Sequence, residues 1–295
     1  MRGIYKFYQG GEQIGESENL ITSDGKRLIM QYLAGYRGKI ASHIGLGLSN
    51  TAANVADKEL AFEWARSPII STSPDYTNTL IIYKARFEAA VTGVIYEAGL
   101  WSPDDVVGDY GSRMLLDFDS ATDTWSAGTF FSSTTRVGID SLRLSPTAST
   151  TVTAQKTETA LDLSGYSNSD QFKLAYNVGN AFTASVFVRF YVDASNYYTY
   201  TINTPSAGYK TQTFLKTDMV ATGSPTFAGI TFVGVSATAT AGGTAVVDFD
   251  ALRVDDKDTY TDTNILVSRS VPASPITMVP NLPMDIEYTL DVTLP

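Results

Sequence analysis

Apolar and polar residues alternate with a period of two over most of the chain, and that period predicts strands. At the start, Ile4, Lys6 and Tyr8 alternate with Tyr5, Phe7 and Gln9, and Gly10-Gly11 then turns the chain into a hairpin. One segment breaks the period. Leu28, Ile29, Tyr32 and Leu33 fall at helical spacing, Thr22, Ser23 or Asp24 can cap that helix, and Gly35 suits its C-terminal turn. A second short helix is expected over Ala52 to Leu60. The strand period returns over Ser42 to Leu48, Pro68 to Thr72, Thr79 to Ala89 and Val94 to Trp101. Ser73-Pro74-Asp75 and Thr92-Gly93 supply turn chemistry at the breaks.

The pattern changes near Ser102, where Pro, Gly and Asp accumulate as they do in connections. From Met114 to Val254 short strands are separated by Ala207-Gly208, Gly223-Ser224-Pro225 and Gly242-Gly243, a spacing that suggests a sandwich or jelly roll. A second acidic connection spans Asp255 to Asp262. In the last stretch Ile286, Tyr288, Leu290, Val292 and Leu294 form one apolar face against Glu287, Thr289, Asp291 and Thr293. A lone strand cannot bury such a face, so this segment is expected to pair with the N-terminal sheet. The expected layout is a mainly β chain. A β-sandwich-like domain with one short helix occupies 1–105 and is completed by 263–295, and a β-jelly-roll domain is inserted at 106–262.

Composition narrows the function. The chain has 295 residues, 43% of them hydrophobic and 18% charged, which suits a well-packed core rather than disorder. A formal net charge of −10 disfavours nucleic-acid binding. The absence of cysteine excludes disulfides, thiol catalysis and Cys-ligated zinc. The N-terminal Met-Arg-Gly-Ile-Tyr-Lys-Phe-Tyr-Gln lacks the apolar run of a signal peptide, and no stretch is apolar enough to span a bilayer, so neither export nor membrane insertion is expected.

Candidate chemistry is sparse. His43 is the single histidine, and Ala41-Ser42-His43-Ile44-Gly45 shows no nucleophile-elbow pattern. The acids cannot be paired by sequence into the facing carboxylates of a glycosidase. No catalytic residues are assigned, and the chain is expected not to be an enzyme. Aromatics concentrate between Phe182 and Tyr209. Rings on a concave sheet face can stack on sugars while polar neighbours hold hydroxyls, which makes Tyr197, Tyr198, Tyr200 and Tyr209 candidate carbohydrate contacts. Alternation sends Tyr198 and Tyr200 to one face and Tyr197 to the other, and one of those faces can equally be core. Phe187 and Phe190 are assigned to the core, and Trp64, Trp101 and Trp125 to cores or subunit contacts.

Two resemblances add to this. Asn-Leu-Ile-Thr-Ser-Asp-Gly-Lys-Arg-Leu-Ile from Asn19, His-Ile-Gly-Leu-Gly-Leu-Ser-Asn from His43, and Ile-Tyr-Glu-Ala-Gly-Leu-Trp ending at Trp101 are similar to virion proteins of tailed bacteriophages. That resemblance implies a structural subunit on tail, baseplate or capsid, assembled in the host cytoplasm, with other virion proteins and copies of itself as partners. The middle of the chain resembles a carbohydrate-binding-module jelly roll. Leu116-Asp117-Phe118-Asp119 with Trp125-Ser126 matches its opening strand, Gly138 to Leu144 its second, and Phe249 to Val254 its closing strand. This resemblance implies a structural calcium held by Asp119 and Asp250. The family often has a second acid where Ala251 stands, which counts against metal transfer. The favoured expectation is therefore a virion subunit with an outward jelly roll. The alternatives are an adhesin or receptor-binding component that binds host-surface glycan, and a polysaccharide-degrading enzyme.

Overall fold

The computed structural model describes residues 2–102, 113–120, 124–256 and 265–292. It is mainly β. Two compact units emerge, Met1–Asp109 with Thr259–Pro295, and Tyr110–Asp258. Most of the two expected connections lies outside the described residues, as do Thr293 and Leu294.

The first unit opens with β1 (Arg2–Gln9), β2 (Glu12–Ile21), α1 (Ser23–Leu33), β3 (His43–Gly47), β4 (Glu63–Asp75), β5 (Leu80–Phe87), β6 (Val94–Ile95) and β7 (Glu97–Trp101). The second unit carries β8 (Arg113–Leu116), β9 (Thr129–Phe131), β10 (Ser141–Leu144), β11 (Thr151–Leu161), β12 (Gln171–Val178) and β13 (Thr183–Asp193). It continues with β14 (Asn196–Asn203), β15 (Gly208–Leu215), β16 (Val220–Thr222), β17 (Ile230–Ala239) and β18 (Val247–Asp255). The chain then returns to the first unit with β19 (Leu266–Ser270), β20 (Ile276–Thr277) and β21 (Met284–Asp291).

The first unit is a closed barrel in the order β1-β2-β19-β7-β3-β4-β5-β21. This corrects the sandwich-like expectation: closure gives each barrel strand a neighbour on both sides. The alternating pattern does the sorting. Tyr5, Phe7, Ile286, Tyr288 and Leu290 point into the core, and β21 lies antiparallel between β1 and β5. Gly10 and Gly11 take φ of 60° and 86°, the two positive values of the tight hairpin turn between β1 and β2. The Tyr5 and Tyr288 hydroxyls inside the barrel are paired. Tyr5 Oη lies 2.9 Å from Ser268 Oγ, and Asn19 Nδ2 donates to Tyr288 Oη at 2.8 Å.

Several local expectations change. Thr22 caps α1, its Oγ1 accepting from Gly25 N at 2.9 Å. Only Leu28 and Ile29 of the expected stripe are buried, because the last turn extends past the barrel and leaves Tyr32 and Leu33 exposed. No helix forms over Ala52 to Leu60. Asn54 Oδ1 and Asp57 Oδ2 instead accept from the Ala56 and Asn54 amides and fold the segment as turns. Strand β4 continues through Pro74, since beyond Pro68 it pairs with β5 alone and a missing donor is tolerated. Residues Gly138–Asp140 are a turn rather than strand.

Thr79–Ala89 and Val94–Trp101 carry more apolar side chains than one buried face requires, and the barrel accommodates them within the unit. β5 lies between β4 and β21, and β7 between β3 and β19. Strand β7 is buried on both faces from within: Leu60, Trp101 and Leu266 form a small cluster outside the main barrel core. Glu97 anchors the same region. Its carboxylate accepts from the Ser49, Ala61 and Phe62 amides at 3.0–3.2 Å and from Arg269 at 2.8 Å, and Arg269 also reaches Asp57 at 2.8 Å. Burial pushes the Glu97 carboxyl up, while Arg269 and those amides pull it down.

The second unit is a two-sheet sandwich. One sheet runs β15-β12-β18-β10-β9, with β8 also on β18, and the other runs β11-β17-β13-β14-β16. From β10 to β13 the chain changes sheet at every strand, as in a jelly-roll path. Phe172, Leu174, Phe190, Phe214, Val235 and Phe249 fill the space between the sheets.

Candidate functional site

The outward face of the first sandwich sheet carries charge where a plain sandwich surface carries scattered polar groups. Strand β12 turns Phe172, Leu174, Tyr176 and Val178 inward, so the alternation sends Asn177 outward. Register then assembles a row across the sheet. Tyr209 of β15 lies opposite Asn177, Asn177 opposite Asp248 of β18, Asp248 opposite Arg143 of β10, and Arg143 opposite Thr129 of β9. Five strands thus contribute one position each.

The row is tightly bonded. Arg143 donates from Nε to Asp248 Oδ1 at 2.6 Å and from Nη2 to Oδ2 at 3.0 Å, a two-pronged pair. Asn177 Nδ2 and Thr134 Oγ1 donate to the same Oδ2 at 3.1 and 2.8 Å. Asp248 is 1% exposed, while the Arg143 side chain is 24% exposed and packs its guanidinium 3.3 Å from the Phe131 ring centroid. A buried carboxylate therefore orients an accessible guanidinium and amide. Such groups offer donors to a hydroxylated ligand without reorganising.

Asp250 joins this face through an irregularity. Ala175 pairs with Ala251 and Tyr176 with Phe249, so Asp250 is the extra residue of a bulge. Tyr209 Oη donates to its Oδ2, and the Arg136 and Val137 amides donate to its two oxygens at 3.0 and 3.3 Å. Arg136 stacks over the Tyr209 ring at 3.7 Å. Burial pushes the Asp250 carboxyl up to about 7, against the pull of the Tyr209 hydroxyl and the two amides.

The sequence candidates part company here. Tyr209 and Asp250 meet. Tyr198 and Tyr200 turn toward the core side of the other sheet, stacked on Phe227 at 3.9 Å and on Phe214 at 4.1 Å. Tyr197 lies on the opposite, outward face of that sheet, 5.0 Å from Tyr191 and near Arg189. The four tyrosines do not form one site. Phe190 is core as expected, but Phe187 stands outside the core, half-buried beside Arg189. Trp101 is buried, Trp64 packs on the barrel core, and Trp125 stacks on Phe118 at 5.0 Å.

Asp119 and Asp250 converge on one segment, not on a cation position. Asp119 Oδ2 accepts from Ile139 N at 2.7 Å, three residues after the Arg136 amide that Asp250 holds. Gly138 has φ of +74°, and the Asp119 carboxylate occupies the space a Cβ there would need. Asp119 Oδ2 and both Asp250 oxygens take N–H or O–H donors. Among the described residues no three His, Cys, Asp or Glu side chains gather as metal ligands. This arrangement pins a loop and does not fit a calcium ion, which takes about six to eight oxygens.

His43 Nδ1 lies 2.8 Å from Ser42 Oγ, and that hydroxyl donates to the Ser102 carbonyl at 2.8 Å. Ser42 therefore accepts from the ring, the wrong direction for a base activating a nucleophile. No helix among the described residues is long and apolar enough to cross a membrane.

Sequence reasoning missed Arg136, Arg143, Asn177 and Asp248. One signal was present: Val247-Asp248-Phe249-Asp250 alternates acids with core residues in a strand read only for its resemblance.

No protein family and no curated protein matches the chain. Its structural neighbours include carbohydrate-binding modules and glycoside hydrolases. One is a family 11 carbohydrate-binding module from Clostridium thermocellum in complex with a β-1,3-1,4-mixed-linked tetrasaccharide, at 16% identity over 49% of this chain and 95% of that one, TM-score 0.38. Another is a carbohydrate-binding module specific for non-crystalline cellulose, at 12% identity over 52% and 97%, TM-score 0.32. A third is an exo-β-agarase, at 11% identity over 49% and 25%, TM-score 0.38. The chain thus spans a quarter of the agarase's length.

Proposed function

We propose that the chain is a glycan-binding protein and that its sandwich unit contacts sugar through the row Tyr209, Asn177, Asp248 and Arg143. The observation that carries this is a partly exposed guanidinium, amide and phenol, all held in place by two buried carboxylates on one outward sheet face. Sugars present adjacent hydroxyls that accept from guanidinium and amide N–H groups and donate to carboxylates, and their ring faces stack on aromatics. Phe131 and Tyr209 flank the row, each with one ring face covered by a guanidinium, Arg143 on Phe131 and Arg136 on Tyr209, so the row acts through its polar groups. The row binds and orients; it has no pair of facing free carboxylates for hydrolysis, and we propose no reaction.

Glycan-array screening followed by calorimetry tests this. Asn177→Ala and Tyr209→Ala are expected to weaken binding by about tenfold or more, the loss of one or two hydrogen bonds to a buried partner. Affinity unchanged in both folded variants would reject the row as the site. A second reading places this glycan binder on a tailed-phage virion, attached by its barrel. It rests on the resemblance of the segments from Asn19, from His43 and ending at Trp101 to tailed-phage virion proteins. Absence of the chain from purified particles, by mass spectrometry, would remove that reading alone.

A further inference from the structure

Of the tyrosines in the barrel core, Tyr5 and Tyr288 have hydrogen-bonded hydroxyls. Tyr83 does not. It is 5% exposed and its ring lies 6.1 Å from that of Tyr288, yet its hydroxyl bonds to no described residue. Burying a hydroxyl without a partner is costly, and a group so placed is ready for an acceptor brought from outside the chain.

Tyr83 lines a cavity of about 290 Å³ together with Tyr32 from the last turn of α1, Lys39 and Ile40 from the segment that leads into β3, and Ile69 of β4. The cavity therefore lies at the end of the barrel where β3 begins, and barrel mouths are common ligand sites. Its chemistry is one-sided. No Asp or Glu lines it, although the whole chain has 31 acids against 21 Lys and Arg. The Tyr32 hydroxyl and the Lys39 ammonium, like the Tyr83 hydroxyl, hydrogen-bond to no described residue, and Lys39 forms no ion pair with one. Burial and the Tyr32 phenol push Tyr83 up to about 12, so it keeps its proton and donates at neutral pH. Ile40, 4% exposed, and Ile69 add an apolar wall.

We propose that this cavity binds a small organic carboxylate. The carboxylate accepts from the Tyr83 hydroxyl and the Lys39 ammonium, and the apolar body lies against Ile40, Ile69 and the Tyr32 ring. Hydrogen bonds to an ionised group are the stronger class, and one lysine balances one negative charge. The volume stands at the lower end of the ~300–1,000 Å³ of ligand cavities, which limits the body to about the size of a benzene ring or a short alkyl chain. An inorganic anion would leave the apolar wall unused. This inference is independent of glycan binding, since the cavity lies in the barrel unit and the row of polar residues in the other.

Calorimetric titration of the full chain with benzoate and hexanoate tests it, with benzyl alcohol, benzylamine and inorganic phosphate as controls. The expected result is saturable one-to-one binding of at least one carboxylate, with every control about tenfold weaker or more. Tyr83→Phe keeps the ring in the core and removes only the hydroxyl. Because that hydroxyl has no partner in the ligand-free chain, the melting temperature should be unchanged or higher, while carboxylate affinity falls about tenfold. Lys39→Gln should weaken the carboxylates by a similar factor and abolish the preference for benzoate over benzyl alcohol. No saturable binding of either carboxylate at millimolar concentration overturns the proposal. So does affinity that neither variant changes, or a control that binds as tightly as the carboxylates. A melting temperature lowered by Tyr83→Phe in the ligand-free chain also overturns it, because the hydroxyl would then serve the fold itself.

Discussion

A single extra residue in β18 decides what Asp250 does. The bulge takes it out of the ladder and sets its carboxyl among the Tyr209 hydroxyl and two loop amides. Its pKa of about 7 stands above an ordinary value of 3.8, so the folded chain holds a proton there that the unfolded chain releases. Stability from this group is fully present below about pH 4 and is lost as pH rises through about 7. Melting of the sandwich, followed by calorimetry, should therefore fall between about pH 4 and pH 7 at up to ~1.4 kcal/mol per unit for this one group and level off above that. Asp250→Asn should flatten that slope; an identical slope in the variant would assign the effect elsewhere. The carboxyls held low, such as Asp162, Asp193 and Asp285, lose their contribution only in more acidic solution and leave this window clear.

At the scale of elements, strand pattern was legible and its partners were not. Alternation in β1 and β21 placed Tyr5, Phe7, Ile286, Tyr288 and Leu290 on buried faces, because a strand's side-chain period does not depend on its neighbours. The helix was half legible: Thr22 and Leu28 were evident, but Tyr32 and Leu33 share the helical spacing and still face water. Glu97 passed for a motif letter, yet it binds three amides and Arg269. Glu97→Ala leaves Arg269 and those amides without their acceptor, so chemical denaturation should show a loss of about 3–5 kcal/mol. Under about 1 kcal/mol would show the loop 49–62 holding without this carboxylate.

The molecule as a whole is two cores on one chain. Tyr5, Leu46 and Tyr288 belong to one, and Phe172, Phe190 and Phe249 to the other. At the junction Ser102 N donates to Ile265 O at 2.9 Å, and Ile265 N to Ser102 Oγ at 2.7 Å, so the barrel's own chain ends already touch. Excision of 103–264 with a short Gly-Ser splice should leave a barrel that melts cooperatively by circular dichroism. A product without a cooperative transition would mean that the barrel core depends on the sandwich.

Local pattern in the sequence determined the mainly β character, the capped helix, the Gly10-Gly11 hairpin and the inward faces, since each rests on residues a few positions apart. It also placed Tyr197 and Tyr198 on opposite faces. Tertiary structure alone decided that the barrel closes, that Tyr198 and Tyr200 face core, and that Tyr209 meets Asp250. Those outcomes depend on which strands become neighbours and in what register. The row Tyr209, Asn177, Asp248 and Arg143 joins positions up to 105 residues apart in sequence, and only cross-strand pairing brings them together.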